Sequence, residues 1–424
     1  LTARERIELL CDRHSFEELI DGSGDASVVV GSGAVHGREV FIFAKDQTFL
    51  SGSMSAAHAK QIIDIQTRAL AAKAPLIGLF DSAGLRLDDD LSPLQGYAAI
   101  LRNHSQAQGV IPQIAVVMGP CIGADAFAAR AMDMIFMVAE TSALVVTGPE
   151  IANAFSDDVL TMEMLGGAKL QAQESGGADA IFDDDIRALA QLRRFIDFLP
   201  VQDKPWKTFD KDIRLERSLD TLVPDDSSGC YDVKEVMTNV LDEGDFFELR
   251  EALAPNLVIG LGRMEGDTIG LVASQSSVLG GVLDCTALEK AERFLRFCGA
   301  FDIPVVTLID APGFLPGLDQ EKAGMAAAGA KLISAYAKVR SAKITVVLGQ
   351  AYGAAFTLLS FSDDLRLAWP SARIGMMKAE GATFTAYEAL AQGVVDHVVV
   401  PRETRQHLLE FLAAFREKDH KHVR

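Results

Sequence analysis

Two short stretches carry the residue types best suited to holding an anion, MGPCIGADAFAA at 118–129 and LGQAYGAAFTLL at 348–359. In each, a β-branched, apolar run reaches a glycine and then small residues that read as the first turn of a helix. Backbone N–H groups at such a turn lack intrahelical acceptors and lie at the positive end of the helix dipole. Amides at such a turn suit negative charge developing on a thioester or ureido oxygen. Glycine and alanine serve close helix-to-sheet packing equally well, and for one such unit that plainer reading prevails. Two equivalent units in one chain favour the chemical reading.

A second matched pair follows Asp81 and Asp310. The first turn is Ser82-Ala83-Gly84 and the second is Pro312-Gly313-Phe314-Leu315-Pro316-Gly317. Two prolines and two glycines make the latter a rigid turn at a strand end, where α/β proteins commonly place ligands. DSAG on its own could be a structural turn. Other chemistries find little support. The GSGAVHG and GLGRMEG stretches lack the spacing of a dinucleotide fingerprint, and no phosphate-binding G-x-x-x-x-G-K-[ST] or G-x-S-x-G elbow occurs. His58 reads as a packed or capping residue, Asp88-Asp89-Asp90 as a solvated acidic turn, and the Lys-Asp-His-Lys-His run near the C-terminus as a tail rather than a metal site. Lys378 in Met376-Met377-Lys378 reads as an ordinary lysine.

The elements that position these turns are arranged as a repeat. Gly31, Gly33 and Gly37 recur as Gly260, Gly262 and Gly266, and Asp81 and Gly84 as Asp310 and Gly313, each at a shift of 229. One residue later, a shift of 230 carries Gly119, Gly123 and Asp133 onto Gly349, Gly353 and Asp363. A period this long predicts two homologous domains rather than a solenoid. Each copy reads as a hairpin (34–43 and 263–273), an amphipathic helix (55–72 and 286–300), a buried strand, a second helix (93–108 and 323–339) and another buried strand. The continuous apolar runs PLIGLF, PVVTLI, QIAVVMG and KITVVLG are what a sheet covered on both faces requires. The expected domains are 1–205 and 230–424, joined by a charged, proline-containing connector at 206–229, with a last amphipathic helix at 402–417.

Composition narrows the function classes. Lys plus Arg number 40 against 59 Asp plus Glu, a net charge of -19, which opposes a role in neutralising nucleic acid or anionic lipid. The longest uncharged apolar stretch, 105–124, is interrupted by glutamines, glycine and proline and reads poorly as a membrane span. Thr2-Ala-Arg-Glu5 reads as a helix-opening capping box rather than a secretory leader. Five cysteines without C-x-x-C spacing disfavour a zinc ribbon or a disulfide framework and suit a reducing cytoplasm.

Beyond these physical signals, LTARERIELL, SGSMSAAHAK, GVIPQIAVVMGPCIGA, FMVAETSALVVTGPE, ERFLRFCGAFDIPVVTLIDAPGFLPG, WPSARIGMM and GVVDHVVVP resemble the carboxyltransferase β subunits of biotin-dependent acyl-CoA carboxylases. The likeness spans nearly the whole chain. It implies an α/β fold of two tandem crotonase-like domains and transfer of a carboxyl group between carboxybiotin and the α-carbon of a short acyl-CoA, propionyl-CoA as first guess. It implies acyl-CoA contacts at Ser82, Ala83, Gly84 and Cys121, biotin contacts at Pro312, Gly313, Phe314 and Gly353, and acyl specificity at Thr357. Gly123 and Ala124 would serve the acyl-CoA enolate, and Ala354 and Ala355 the biotin carbonyl. No protein general base or metal is expected. The implied partners are a biotin carboxylase, a biotin carrier and further copies of the chain, as a dimer or a trimer of dimers. Thr357 stands where the family carries an acidic residue, an Arg is missing near Ala328, and the segment 381–393 is short. These departures leave two alternatives: a biotin-dependent decarboxylase of a malonyl-type thioester, or a non-catalytic crotonase-like complex subunit.

Overall fold

In the computed structural model, residues 1–19, 27–86, 91–200, 218–223, 229–377 and 383–422 are described. They form two compact units, Leu1–Leu199 and Pro200–Arg424. Most of the expected connector, and with it Asp88-Asp89-Asp90 and Lys378, lies outside the described residues.

Each unit is built on one mixed sheet flanked by helices. In the first, the hairpin Val28–Val35 and Arg38–Lys45 is antiparallel, and Arg38–Lys45 then pairs parallel with Leu76–Ser82, which pairs parallel with Gln113–Ile122. In the second, Leu257–Met264, Asp267–Ser274, Val305–Ala311 and Lys343–Tyr352 repeat that order. The hairpin strands begin earlier than the glycine spacing alone suggested, at Val28 and Leu257. Helix ends follow local chemistry. Thr2 closes a capping box with Glu5, and Ser55 closes one with His58 at the start of helix Ala56–Ala72. The helix expected over 323–339 is instead two, Leu318–Ala323 and Met325–Lys338, because Gly324 takes φ 88° and ends the first. The last helix, Thr404–His422, runs past the expected end into the Lys-Asp-His-Lys-His run.

The central strand of each sheet divides its edge between two partners. Ile114–Val117 pairs with Met134–Met137, whereas Pro120–Ile122 pairs with Ala143–Val145. In the second unit 344–347 pairs with 365–368, and 350–352 with 373–375. Between the two halves the register against the preceding strand jumps, from Phe80↔Val117 to Ser82↔Cys121 and from Ile309↔Val347 to Ala311↔Ala351. The matched Asp–Gly pairs sit at this jump. A Cβ on Gly119 would lie 2.0 Å from Asp81 Oδ1, and one on Gly349 would lie 2.6 Å from Asp310 Oδ1. The glycine therefore leaves room for a buried carboxylate.

The duplication reaches further than the glycines. Asp12 accepts the amides of His36 and Gly37 at the first hairpin turn, at 3.1 and 2.8 Å, and Arg193 donates to Asp12 and to Leu10 O. Asp242 accepts the amides of Glu265 and Gly266, at 3.1 and 2.8 Å, and Arg405 donates to Asp242 and to Val240 O. One sequence match needs correction. Asp133 accepts from Gln113 N–H at 2.8 Å, and the residue doing the same for Lys343, at 2.9 Å, is Asp364 rather than Asp363. A further residue has entered before the strand Leu365–Ala368, stepping the register once more. Asp363 is buried, and burial pushes its carboxyl up to about 6.

Candidate active site

The first turn grows out of the forked strand. Pairing of Pro120–Ile122 with Ala143–Val145 carries the chain to Gly123, whose φ of 69° and ψ of -124° belong to glycine, and helix Ala124–Ala131 starts immediately after. Gly123 was expected to offer its amide, and here the structure corrects the sequence reading. Its N–H donates to Val145 O at 2.9 Å, continuing the ladder for one residue. The amide of Ala124 has no backbone acceptor among the described residues and opens the helix beside a half-buried surface. Along the same helix lies a cavity of about 480 Å³, lined among others by Phe127, Arg130, Val146 and Thr147. Phe127 and Val146 are exposed into it, and Arg130 is held by the carbonyls of Gly176 and Gly177.

The turn after Asp81 stands against the first one. A Cβ on Gly84 (φ 98°) would meet Ile122 O at 3.1 Å. Ser82 is buried and its Oγ accepts the Gly84 amide at 3.0 Å, while Ala83 is exposed and its amide donates to Ser51 O at 2.9 Å. Cys121 is different. Its side chain belongs to the core cluster, and burial, with the charge of Asp125, drives its thiol well above the usual range. It therefore faces the core, and any contact it makes with a ligand is through its backbone. His58 is buried as the capping partner of Ser55 and lies against Ser27.

The second unit repeats the construction with local changes. Gly353 (φ 53°) opens helix Gly353–Leu359, and a Cβ there would meet Met376 O at 2.6 Å. The amides of Gly353, Ala354 and Ala355 have no backbone acceptor among the described residues, with Ala354 exposed and Ala355 buried. Pro312, Gly313 and Phe314 are half-buried, and the turn is pinned by Leu283 N–H to Gly313 O at 3.0 Å and Leu315 N–H to Leu283 O at 2.8 Å. Thr357 is exposed one turn into the helix, and its hydroxyl donates back to Gly353 O at 3.1 Å. Among the described residues no group of three or more His, Cys, Asp or Glu is placed to hold a metal.

Sequence reasoning missed two features of this region. One is the buried pair Lys45–Asp125, at 2.5 Å, beneath the first turn. The other is Arg6, buried between Asp81 and Asp185 at 2.7 and 2.8 Å. Asp125 is an acidic residue in a first helical turn, a signal that is visible in sequence but names no partner.

Residues 1–388 match the family described as carboxyl transferase domain. The chain belongs to that family. It is 40% identical to the propionyl-CoA carboxylase beta chain of Cereibacter sphaeroides over 464 aligned residues, covering 99% of this chain and 91% of that one. It is 35% identical to the methylmalonyl-CoA decarboxylase subunit alpha of Veillonella parvula, covering 99% and 90%. Among solved structures, transcarboxylase 12S, described as a hexamer assembly with hydrolyzed methylmalonyl-coenzyme A bound, superposes with a TM-score of 0.94 at 33% identity, covering 98% of this chain and 89% of that one. The fold of this carboxyl transferase is accordingly the crotonase-like one, present twice. Among the described residues no helix is long and apolar enough to cross a membrane.

Proposed function

We propose that this carboxyl transferase is the acyl-CoA-handling component of a biotin-dependent carboxylase, moving a carboxyl group to the α-carbon of a short acyl-CoA. The observation that carries the reading is the Ala124 amide, which opens helix Ala124–Ala131 with no backbone acceptor among the described residues, while a cavity of about 480 Å³ runs along the same helix at Ala126, Phe127 and Arg130. A thioester oxygen that gains charge as its α-proton leaves would sit at that amide, helped by the helix dipole. Ser82, Ala83 and Gly84 border the approach, and Cys121 contributes backbone only. In the second unit the exposed Ala354, with Gly353 lacking a side chain and Pro312 to Phe314 walling one side, suits a planar ring with a polarised carbonyl, which fits biotin. Biotin, which Gly353 and the 312–314 turn would hold, would supply the carboxyl group and the base for the α-proton when bound. The chain's own work is to bind, orient and hold negative charge, so no side-chain general base is required.

Thr357 then shapes the acyl or ring pocket as a small neutral residue, its hydroxyl turned back to Gly353 O. A biotin carboxylase and a biotin carrier would be its partners in the cytoplasm, with further copies of the chain completing an oligomer. Purified chain supplied with carboxylated carrier and a panel of acetyl-, propionyl- and butyryl-CoA should yield carboxylated thioester. No transfer to any of them, together with carboxyl loss from methylmalonyl-CoA, would replace this reading by decarboxylation.

A further inference from the structure

The internal duplication gives each residue of the first unit a counterpart against which it can be judged, and one pair stands out. Lys45, at the end of strand Arg38–Lys45, and Asp125, in the first turn of helix Ala124–Ala131, are each 1% exposed, with Nζ and Oδ1 2.5 Å apart. Their counterparts in the second unit are Ser274 (45 + 229) and Ala355 (125 + 230). Ser274 there accepts the Asp310 amide at 2.6 Å, and no charge is buried at either position. The second unit builds the same strand, turn and helix without an ion pair, so the fold does not demand one. Removing two charges from water is costly, and a buried pair is a poor source of stability.

The location of the pair shows what it affects. Asp125 immediately follows Ala124, whose amide is the donor left for an anion. A carboxylate so close opposes a second negative charge unless it is neutralised. Lys45 neutralises it. The ammonium also lies over the Tyr97 ring, 5.5 Å from its centroid, tying helix Ser92–Ala107 into the same cluster. Among the described residues, Tyr97 and Cys121 also feel Asp125, and burial together with that carboxylate keeps both neutral. Lys45 is the cation of the group.

We propose that Lys45 is an electrostatic positioning residue for the Ala124 turn: by cancelling the charge of Asp125 it keeps the field at the amide favourable to an anion on the substrate. The inference rests on the function proposed above. A purely structural tie and an electrostatic one differ in symmetry. Either partner's loss breaks the tie equally, but Lys45→Met leaves an uncancelled carboxylate beside the amide, whereas Asp125→Asn leaves an uncancelled ammonium. kcat and KM for the preferred acyl-CoA, measured with carboxylated carrier and normalised to folded protein by circular dichroism, separate the two. The expected result is a kcat loss in Lys45→Met at least about ten-fold greater than in Asp125→Asn, with KM changed by less than about three-fold in both. Should Lys45→Met fail to fold, Lys45→Gln removes the same charge while retaining a donor to Asp125, and the same inequality applies. Equal losses, no loss, or a larger loss in Asp125→Asn would overturn the proposal while leaving the wider function intact. A parent chain with no turnover of any acyl-CoA would sink both.

Discussion

Replacing Gly123 with valine separates the chemical from the structural reading of the first turn. Gly123 holds φ 69° and ψ -124°, and a Cβ there has only Val146 O within reach, at 4.0 Å. The Cβ itself therefore adds no collision, and the expected thermodynamic cost is backbone strain, roughly 1–3 kcal/mol for a non-glycine residue in such a region. The Gly123 amide can keep Val145 O, so the fork of the sheet survives. In a unit of this size that strain corresponds to a melting shift of roughly 2–12 °C. The β-branched side chain fills open space beside the Ala124 amide, and losing access to a preorganised anion donor costs about 100-fold or more in kcat. Gly37→Val is the matched control. It also has positive φ (77°) and nothing within 4 Å of its Cβ, but it lies at the hairpin turn clamped by Asp12. The assay is acyl-CoA carboxylation with carboxylated carrier, alongside thermal unfolding. Gly123→Val should melt much as Gly37→Val does while only the former loses activity. Full activity in Gly123→Val would show that the turn is structural, and equal loss in both would show that strain alone accounts for it.

Other expectations follow from the packing. Gly119→Ala drives a methyl to 2.0 Å from the Asp81 carboxylate, itself pinned by Arg6, and should lower unfolding stability by about 2 kcal/mol or more; a shift below ~0.5 kcal/mol in urea titration would contradict the collision. Arg6→Met should cost about 3–5 kcal/mol, because Pro120 has no N–H to give Asp81 where Gln350 donates to Asp310 at 2.7 Å. Asp310→Asn, with that backbone donor still in place, should be the milder change, and the reverse order would refute the comparison. Lys290 is buried, donates to Leu253 O at 2.8 Å, and burial lowers its pKa to about 7. The unfolded chain therefore binds more protons than the folded one from about pH 7 up to the ordinary lysine range, so stability rises with pH across that window and the penalty is complete below it. Lys290→Gln, the residue at the matching position 61, should flatten the rise in denaturation midpoint between pH 7 and 10, and an unchanged slope would exclude Lys290 as its source.

Much of this organisation could be read directly from the chain because its signals are local or periodic. The capping box at Thr2, the helix opening at Ser55, the apolar runs of the buried strands and the repeated glycines each depend on neighbours or on a copy of the same pattern. Those signals place two strand–glycine–helix turns and mark them as candidates for chemistry. They say nothing about which amide at a turn is spent. That is decided by the strand Ala143–Val145, which enters through sheet pairing and takes the Gly123 N–H, while the Ala124 amide keeps no backbone acceptor among the described residues. The Lys45–Asp125 pair joins residues 80 positions apart, and the Asp12–Arg193 clamp residues 181 apart. Neither partner's spacing encodes the other, because a charged residue's sequence neighbours do not reveal what a folded core will bring against it. The composition of the turns is thus written in the sequence, whereas hydrogen-bond ownership and the cancellation of buried charge depend on long-range packing and arise only in the folded units.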